Sequence, residues 1–381
     1  MGIYLDHNAT TPLDARVSAL LSEHREAGLG NPSSLHASGR RARALIDAAR
    51  ERLAAALGVH EEELVFTGGG TEAINLALIG RFEAGLARRV GLATIEHAAV
   101  AECARALERR GARLTWIPVD GQGKPRIEAE FEALLGCDLV SLPWANGEIG
   151  AVWPVAELAE RLRSGGLRGA LFSDLVQAIG RVPVDLGGAG IDLGAMSAHK
   201  LGGPPGVGVL YVRRGTKLAP RSFGGGQEGG LRPGTEDAAS IAATAFAIEL
   251  ALTERSERAA RWRRQSALLL AALRQHGLAF ALNGPQAEDP ERLPNTLNLS
   301  APGGDGKVLV MRLDLEGLEV SSGSACASGS VEPSHVLRAL GRDEDAARRG
   351  LRLSLGTATS DEELLRAAEI LARVLRTQAA R

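Results

Sequence analysis

The chain has 381 residues, of which 45% are hydrophobic and 24% charged, the composition of a folded globular protein rather than a disordered one. A formal net charge of −2 supplies no basic field for nucleic acid or anionic lipid. Three cysteines with no Cys-x-x-Cys pair make neither a disulfide framework nor a structural zinc site.

The N-terminal Met1–Asp6 has no basic leader, and every apolar run is broken well before the ~20 residues of a membrane span. A soluble, cytoplasmic protein is expected. From residue 40 helical and strand patterns alternate. Arg40–Leu57 reads as an amphipathic helix stopped by Gly58, and Leu64–Phe66 as a short strand. Glycines and a helix over 71–84 follow. Strands are expected at 90–94, 113–117, 139–142, 170–173, 193–196 and 208–212. Helices are expected at 100–110, 128–135 and 155–163. Short apolar strands separated by helices predict βαβ units and a mostly parallel, buried sheet. A long helical region over 238–275 marks a change of pattern. Beyond it lie strands near 296–299, 318–320 and 351–354, a helix over 307–313 and a terminal helix from Asp361, which read as a smaller α+β domain.

In an open parallel sheet, ligands bind beyond the carboxyl ends of the strands, and the chemically interesting residues fall there. Phe66–Glu72 joins a strand to a helix through three consecutive glycines. Such a turn lets backbone N–H groups approach an anion at a helix N-terminus, with Thr71 adding a hydroxyl; its plainer reading is an ordinary helix cap. Lys200, after Ser197-Ala198-His199, follows an apolar strand, where desolvation would free its amine for covalent chemistry; it could equally be a surface lysine. Asp174 and Gln177 end the strand 170–173. A carboxylate there could hold a protonated ring nitrogen, or simply cap a helix. His97 could stack on a flat ring, move a proton, or be structural. Arg352 on an apolar strand requires an anionic partner, either a substrate carboxylate or a structural acid. Cys103 and Cys137 sit among apolar neighbours and read as buried. Cys326 lies in the Gly/Ser-rich run Ser321–Ser330, where an exposed, reactive thiol is expected.

Taken together these segments resemble the cysteine desulfurases of iron–sulfur cluster assembly, the NifS/IscS-like members of the class V aminotransferase family. The resemblance runs from Tyr4–Pro12 through Gly30–His36, Thr94–His97, Asn146–Gly150, Asp174–Gln177, Ser197–Lys200 and Gly224–Thr235 to the cysteine loop and Arg352–Gly356. It implies a fold-type-I α/β enzyme that depends on pyridoxal 5'-phosphate. The large domain, with a mostly parallel seven-stranded sheet, would span 15–255. The small domain would comprise 1–14 and 256–381 and carry the cysteine loop. Lys200 would hold the cofactor covalently and act as base. Gly70, Thr71, Ser197 and His199 would hold its phosphate, with Thr235 given across a homodimer interface. Asp174 would face the ring nitrogen, Gln177 the ring oxygen, and His97 would stack on the ring. Asn8, Asn146 and Arg352 would bind L-cysteine, and Cys326 would take its sulfur as a persulfide, leaving alanine. The run Val331–His335 resembles the long-loop group, which hands sulfur to a cluster scaffold protein or another acceptor. No intrinsic metal is expected, although Cys326 could transiently ligate a cluster shared with a scaffold. The chain departs from the family pattern at Gly68, Pro205 and Pro233, none of which is a catalytic group. A selenocysteine lyase, another class V enzyme such as an aminotransferase, and a non-catalytic sulfur-transfer scaffold are the competing readings.

Overall fold

The computed structural model describes residues 2–300, 306–323 and 333–379. In chain order its elements are β1 (Ile3–Tyr4), α1 (Ala15–Glu26), α2 (Ala37–Leu57), β2 (Leu64–Thr67), α3 (Gly70–Glu83), β3 (Arg89–Ala93), α4 (Ala98–Glu108), β4 (Arg113–Ile117), α5 (Phe131–Leu135), β5 (Leu139–Ser141), α6 (Val155–Gly165), β6 (Ala170–Asp174), β7 (Leu193–Ser197) and β8 (Gly208–Val212). There follow α7 (Ala238–Thr253), α8 (Arg255–Gln275), β9 (Ala281–Leu282), β10 (Thr296–Ser300), α9 (Gly306–Leu315), β11 (Leu318–Glu319), α10 (His335–Ala339), α11 (Glu344–Arg348), β12 (Gly350–Ser354) and α12 (Asp361–Ala379).

Seven strands form one sheet in the order β2-β8-β7-β6-β5-β3-β4. Every pair is parallel except those made by β8, which runs antiparallel to both β2 and β7. The carboxyl ends of β2, β3, β5, β6 and β7 therefore open on one edge, as a parallel sheet requires for a shared site. The strands β5 through β8 are buried throughout, which explains why their sequences are continuously apolar rather than alternating. Two apolar cores cover the two faces of this sheet. One is built with α2, α6 and α7, the other with α3 and α4.

A third core gathers Ile3 and Leu5 with α8, α9, α12 and the three-stranded sheet β12-β10-β9. The first strand reaches it by pairing in parallel with β11. The helical region expected over 238–275 proves to be two helices, because the chain breaks at Glu254. That carboxylate accepts from Arg16 at 2.6 Å and from Arg258 at 2.6 Å. The short elements β1, β9, α10 and α11 have too few residues to show a period, and α1 went unpredicted although it has 12. No helix among the described residues is long and apolar enough to cross a membrane.

The turn before α3 is built on backbone contact. Gly69 has φ 149°, a conformation that favours glycine, and a Cβ on Gly208 would lie 2.4 Å from the Gly69 carbonyl carbon. Gly208→Ala is expected to destabilise the fold by about 1–3 kcal/mol through overpacking, measured by urea unfolding against wild type.

Candidate active site

Beyond the strand ends lies a cavity of about 300 Å³, large enough for a small-molecule ligand. The expected residues Asn8, Gly70, Thr71, His97, Asn146, Asp174, Gln177, Ser197, His199, Lys200 and Arg352 all line it. They come from separate parts of the chain, brought together because each follows a strand or packs against one.

At one end, α3 begins with Gly70 and Thr71, so its first backbone N–H groups and its dipole favour an anion. Gly70 is packed tightly: a Cβ there would approach Val176 at 3.1 Å and Ser197 at 3.3 Å. His199 faces Thr10 Oγ1 through Nδ1 at 3.1 Å. Burial, then the nearby Lys200 and Arg181, push its pKa down to about 4, so its ring is neutral at pH 7.

Asp174 closes β6 and is buried; its Oδ1 accepts the Val176 N–H at 2.9 Å. Burial raises its pKa, and the charges of His97 and Lys200 oppose that rise. An ionised carboxylate at this place could hold a protonated ring nitrogen, whose positive charge would offset the cost of burying it. His97 caps α4, its Nδ1 accepting from Ala99 N–H at 3.1 Å, which leaves Nε2 to carry the ring proton. Lys200 stands in a short 3₁₀ turn after β7. Its Nζ donates to the carbonyls of Asn8 at 2.9 Å and Ala9 at 2.5 Å.

The proposed substrate end is more committed than the residue types suggest. Asn8 Nδ2 donates to Gly147 O at 2.9 Å and Thr296 Oγ1 at 2.8 Å, while its Oδ1 accepts from Asn295 at 3.1 Å. Asn146 likewise holds its own loop, donating to Ile95 O and accepting from the backbone of Glu148 and Ile149. Arg352 is buried and paired with Asp6 at 2.6 Å, and its Nε has no partner among the described residues. The anionic partner anticipated for Arg352 is thus Asp6.

Sequence reasoning passed over Asp6, Glu96, Glu148 and His335. Glu148 accepts from Ser334 Oγ and lies beside Gly323, bracketing the segment that carries Cys326. His335 Nε2 meets the Glu96 carbonyl at 3.0 Å and lines the cavity. Glu96 is fully buried beside Asp174, its Oε1 accepting from Ser141 at 2.6 Å. A signal existed in the pair Glu96-His97, since an acid ending an apolar strand is itself unusual.

Cys326 lies outside the described residues. Cys103 and Cys137 are buried as expected; desolvation pushes Cys103 up to about 11 and raises Cys137. Thr235 is exposed and does not line this chain's own cavity.

An amine, a buried acid, an anion cradle and a close-fitting glycine wall together suit pyridoxal phosphate. The fold and this pocket define a pyridoxal-phosphate enzyme of the α/β type. Residues 3–366 match the family model Aminotransferase class-V. A Bacillus subtilis protein described as putative cysteine desulfurase IscS 1 is 40% identical, over 98% of each chain. A solved NifS-like protein superposes with a TM-score of 0.90 at 33% identity, covering 99% of this chain and 100% of the other. A structure described as SspA in complex with cysteine gives 0.77 at 29% identity, covering 92% and 98%. The chain belongs to the class-V aminotransferase family, and within it to the cysteine desulfurases.

Glu96 carries a pH signature. Burial, with a smaller push from Asp174, raises its pKa from 4.5 to about 8, against the Ser141 hydrogen bond. The folded state therefore holds this proton more tightly than the unfolded state. The associated stability is full below about pH 4.5 and is lost as pH rises towards 8. Glu96→Gln should flatten that decline, seen as a smaller fall in urea midpoint between pH 5 and pH 8 than wild type shows.

Proposed function

We propose that this pyridoxal-phosphate enzyme converts L-cysteine to L-alanine and passes the sulfur to Cys326, in a cytoplasmic homodimer that supplies iron–sulfur cluster assembly or another sulfur acceptor. The observation that carries the reading is the convergence of Lys200, Asp174, His97 and Arg352 on one cavity. The SspA structure described as a complex with cysteine supports the substrate. Bound pyridoxal phosphate supplies an electron sink that makes the substrate's Cα–H acidic.

The chain's residues do the rest. Gly70, Thr71, Ser197 and His199 would hold the phosphate, and Asp174 would keep a proton at the ring nitrogen. Gln177 would donate to the ring oxygen, and His97 would stack on the ring. Arg352, braced by Asp6, offers its guanidinium to the substrate carboxylate, near Asn8 and Asn146. Lys200 takes the proton from Cα and returns it where the carbon skeleton needs one. The Cys326 thiolate attacks the substrate sulfur. An S–S bond forms, the Cβ–S bond breaks, and its electron pair passes to Cβ, which is protonated to give alanine. Exposed Thr235 serves the partner subunit's cofactor. The two-domain division, 15–255 against 1–14 with 256–381, fits a catalytic cysteine brought from one core to a cofactor on another.

The purified protein should be yellow and form alanine from L-cysteine. Cys326→Ala should keep the visible band and lose alanine formation by at least about tenfold. Lys200→Ala should lose both. A Cys326→Ala variant with full turnover would overturn the nucleophile, and faster alanine formation from selenocysteine would favour a lyase. Separately, Asp6→Asn should raise KM for cysteine roughly tenfold, with a smaller change in kcat, because it loosens Arg352 rather than the reacting groups.

A further inference from the structure

Behind the cavity wall sits a guanidinium with no acid against it. Arg181 is 2% exposed. Its hydrogen-bond partners are all neutral: Nη1 donates to the Gln177 carbonyl at 3.2 Å and to Gln177 Oε1, and Nη2 to the Lys200 carbonyl at 2.9 Å. The charged groups that bear on it most are two further arginines, Arg352 and Arg258. Those two have their own carboxylates, Asp6 and Glu254, whereas Arg181 has none among the described residues. A buried cation without a counter-charge is costly to fold around, so stability alone is a poor reason for it.

Its partners suggest another reason. Arginine can only donate, so the Gln177 oxygen must face it and the Gln177 NH₂ must face the other way. That NH₂ group gives one N–H to the Asn8 carbonyl at 3.1 Å, and Gln177 lines the cavity. The same guanidinium grips the Lys200 carbonyl, which also accepts from Thr11 Oγ1 at 3.1 Å. One side chain thus orients a cavity-facing donor and the backbone beneath the anchoring amine.

We propose that Arg181 is a positioning residue of this site, fixing the Gln177 amide with its donor towards the cofactor's ring oxygen and holding the Lys200 backbone in register with it. The proposal rests on the reading of Gln177 and Lys200 as cofactor contacts. Without Arg181 the Gln177 amide keeps only the Asn8 carbonyl to set its flip, and in the other flip an oxygen would face an oxygen.

The test uses holoenzyme and reads the cofactor rather than turnover. The wavelength and circular dichroism of its visible band, and its release on dilution, are measured for Arg181→Met, Arg181→Lys, Gln177→Ala and the double variant Arg181→Met with Gln177→Ala. Arg181→Met should shift the band and speed release about tenfold, the scale of a charge-assisted hydrogen bond, and Arg181→Lys should recover part of this. In the Gln177→Ala background the same change should add no more than about twofold to threefold, the part exerted through the Lys200 carbonyl, because the remainder acts through Gln177. A band and release rate unchanged in Arg181→Met would overturn the proposal. So would losses that multiply in the double variant, since they would mark Arg181 as a packing residue. If Arg181→Met does not fold, the same cycle is run with Arg181→Lys, and losses that multiply there overturn the proposal equally. A wild-type protein with no visible band would instead sink the cofactor assignment itself.

Discussion

The ion pair between Arg352 and Asp6 pins the segment 3–9 to β12, and that segment brings Asn8 and Ala9 to the pocket. Asp6 is held to β12 by this 2.6 Å contact, and a backbone bridge from Asp6 to Ser354 reinforces it. Two residues later the Asn8 carbonyl receives both Lys200 Nζ and Gln177 Nε2, and the Ala9 carbonyl receives Lys200 Nζ again. The segment belongs to the third core through Ile3 and Leu5, yet it supplies acceptors to residues on the large sheet. A segment of the third core is thereby made a wall of the site.

Charge is distributed with the same economy. Burial raises the pKa of Glu96 and of Asp174, and lowers those of His7, His199 and Arg181. The groups in the pocket lining and behind it are biased towards neutrality, so charge brought in by a phosphate, a ring nitrogen or a substrate carboxylate meets a poorly screened environment. The guanidiniums of Arg352 and Arg181 differ within it. One is neutralised by an acid, and the other is held by carbonyl and amide oxygens alone.

The large sheet was legible because most of its strands are buried and separated by helices, so each appears as a short apolar block. The reversed direction of β8 was not, since direction leaves no mark on a buried strand's composition. The helical pattern across 238–275 hid the break at Glu254, because one more charged residue among the arginines and glutamates of 254–264 looks like a solvated helix face. Lys200, Asp174 and His97 were visible as polar residues ending strands, although each alone had a bland explanation; their shared position beyond the strand ends is what the fold adds. Asn8 and Asn146 show the opposite. Their side chains are largely spent on holding loops, which only hydrogen-bond geometry reveals. Arg181 was invisible in sequence, since a single arginine after a glycine reads as surface.

The break at Glu254 has a mechanical consequence. Helix α7 is embedded in a core of the large sheet and α8 in the core built around β10 and β12, so one residue joins two stiff rods with different loyalties. At about 1.5 Å per residue α8 is a lever of roughly 31 Å. A swing of about 5° at its foot would carry the far end through roughly 3 Å, a hydrogen bond's length. The carboxylate at the pivot is gripped by Arg16 on one side and Arg258 on the other, both through partly exposed contacts. Contacts of that kind soften with added salt. Ionic strength therefore acts on the stiffness of this joint, some distance from any atom that reacts.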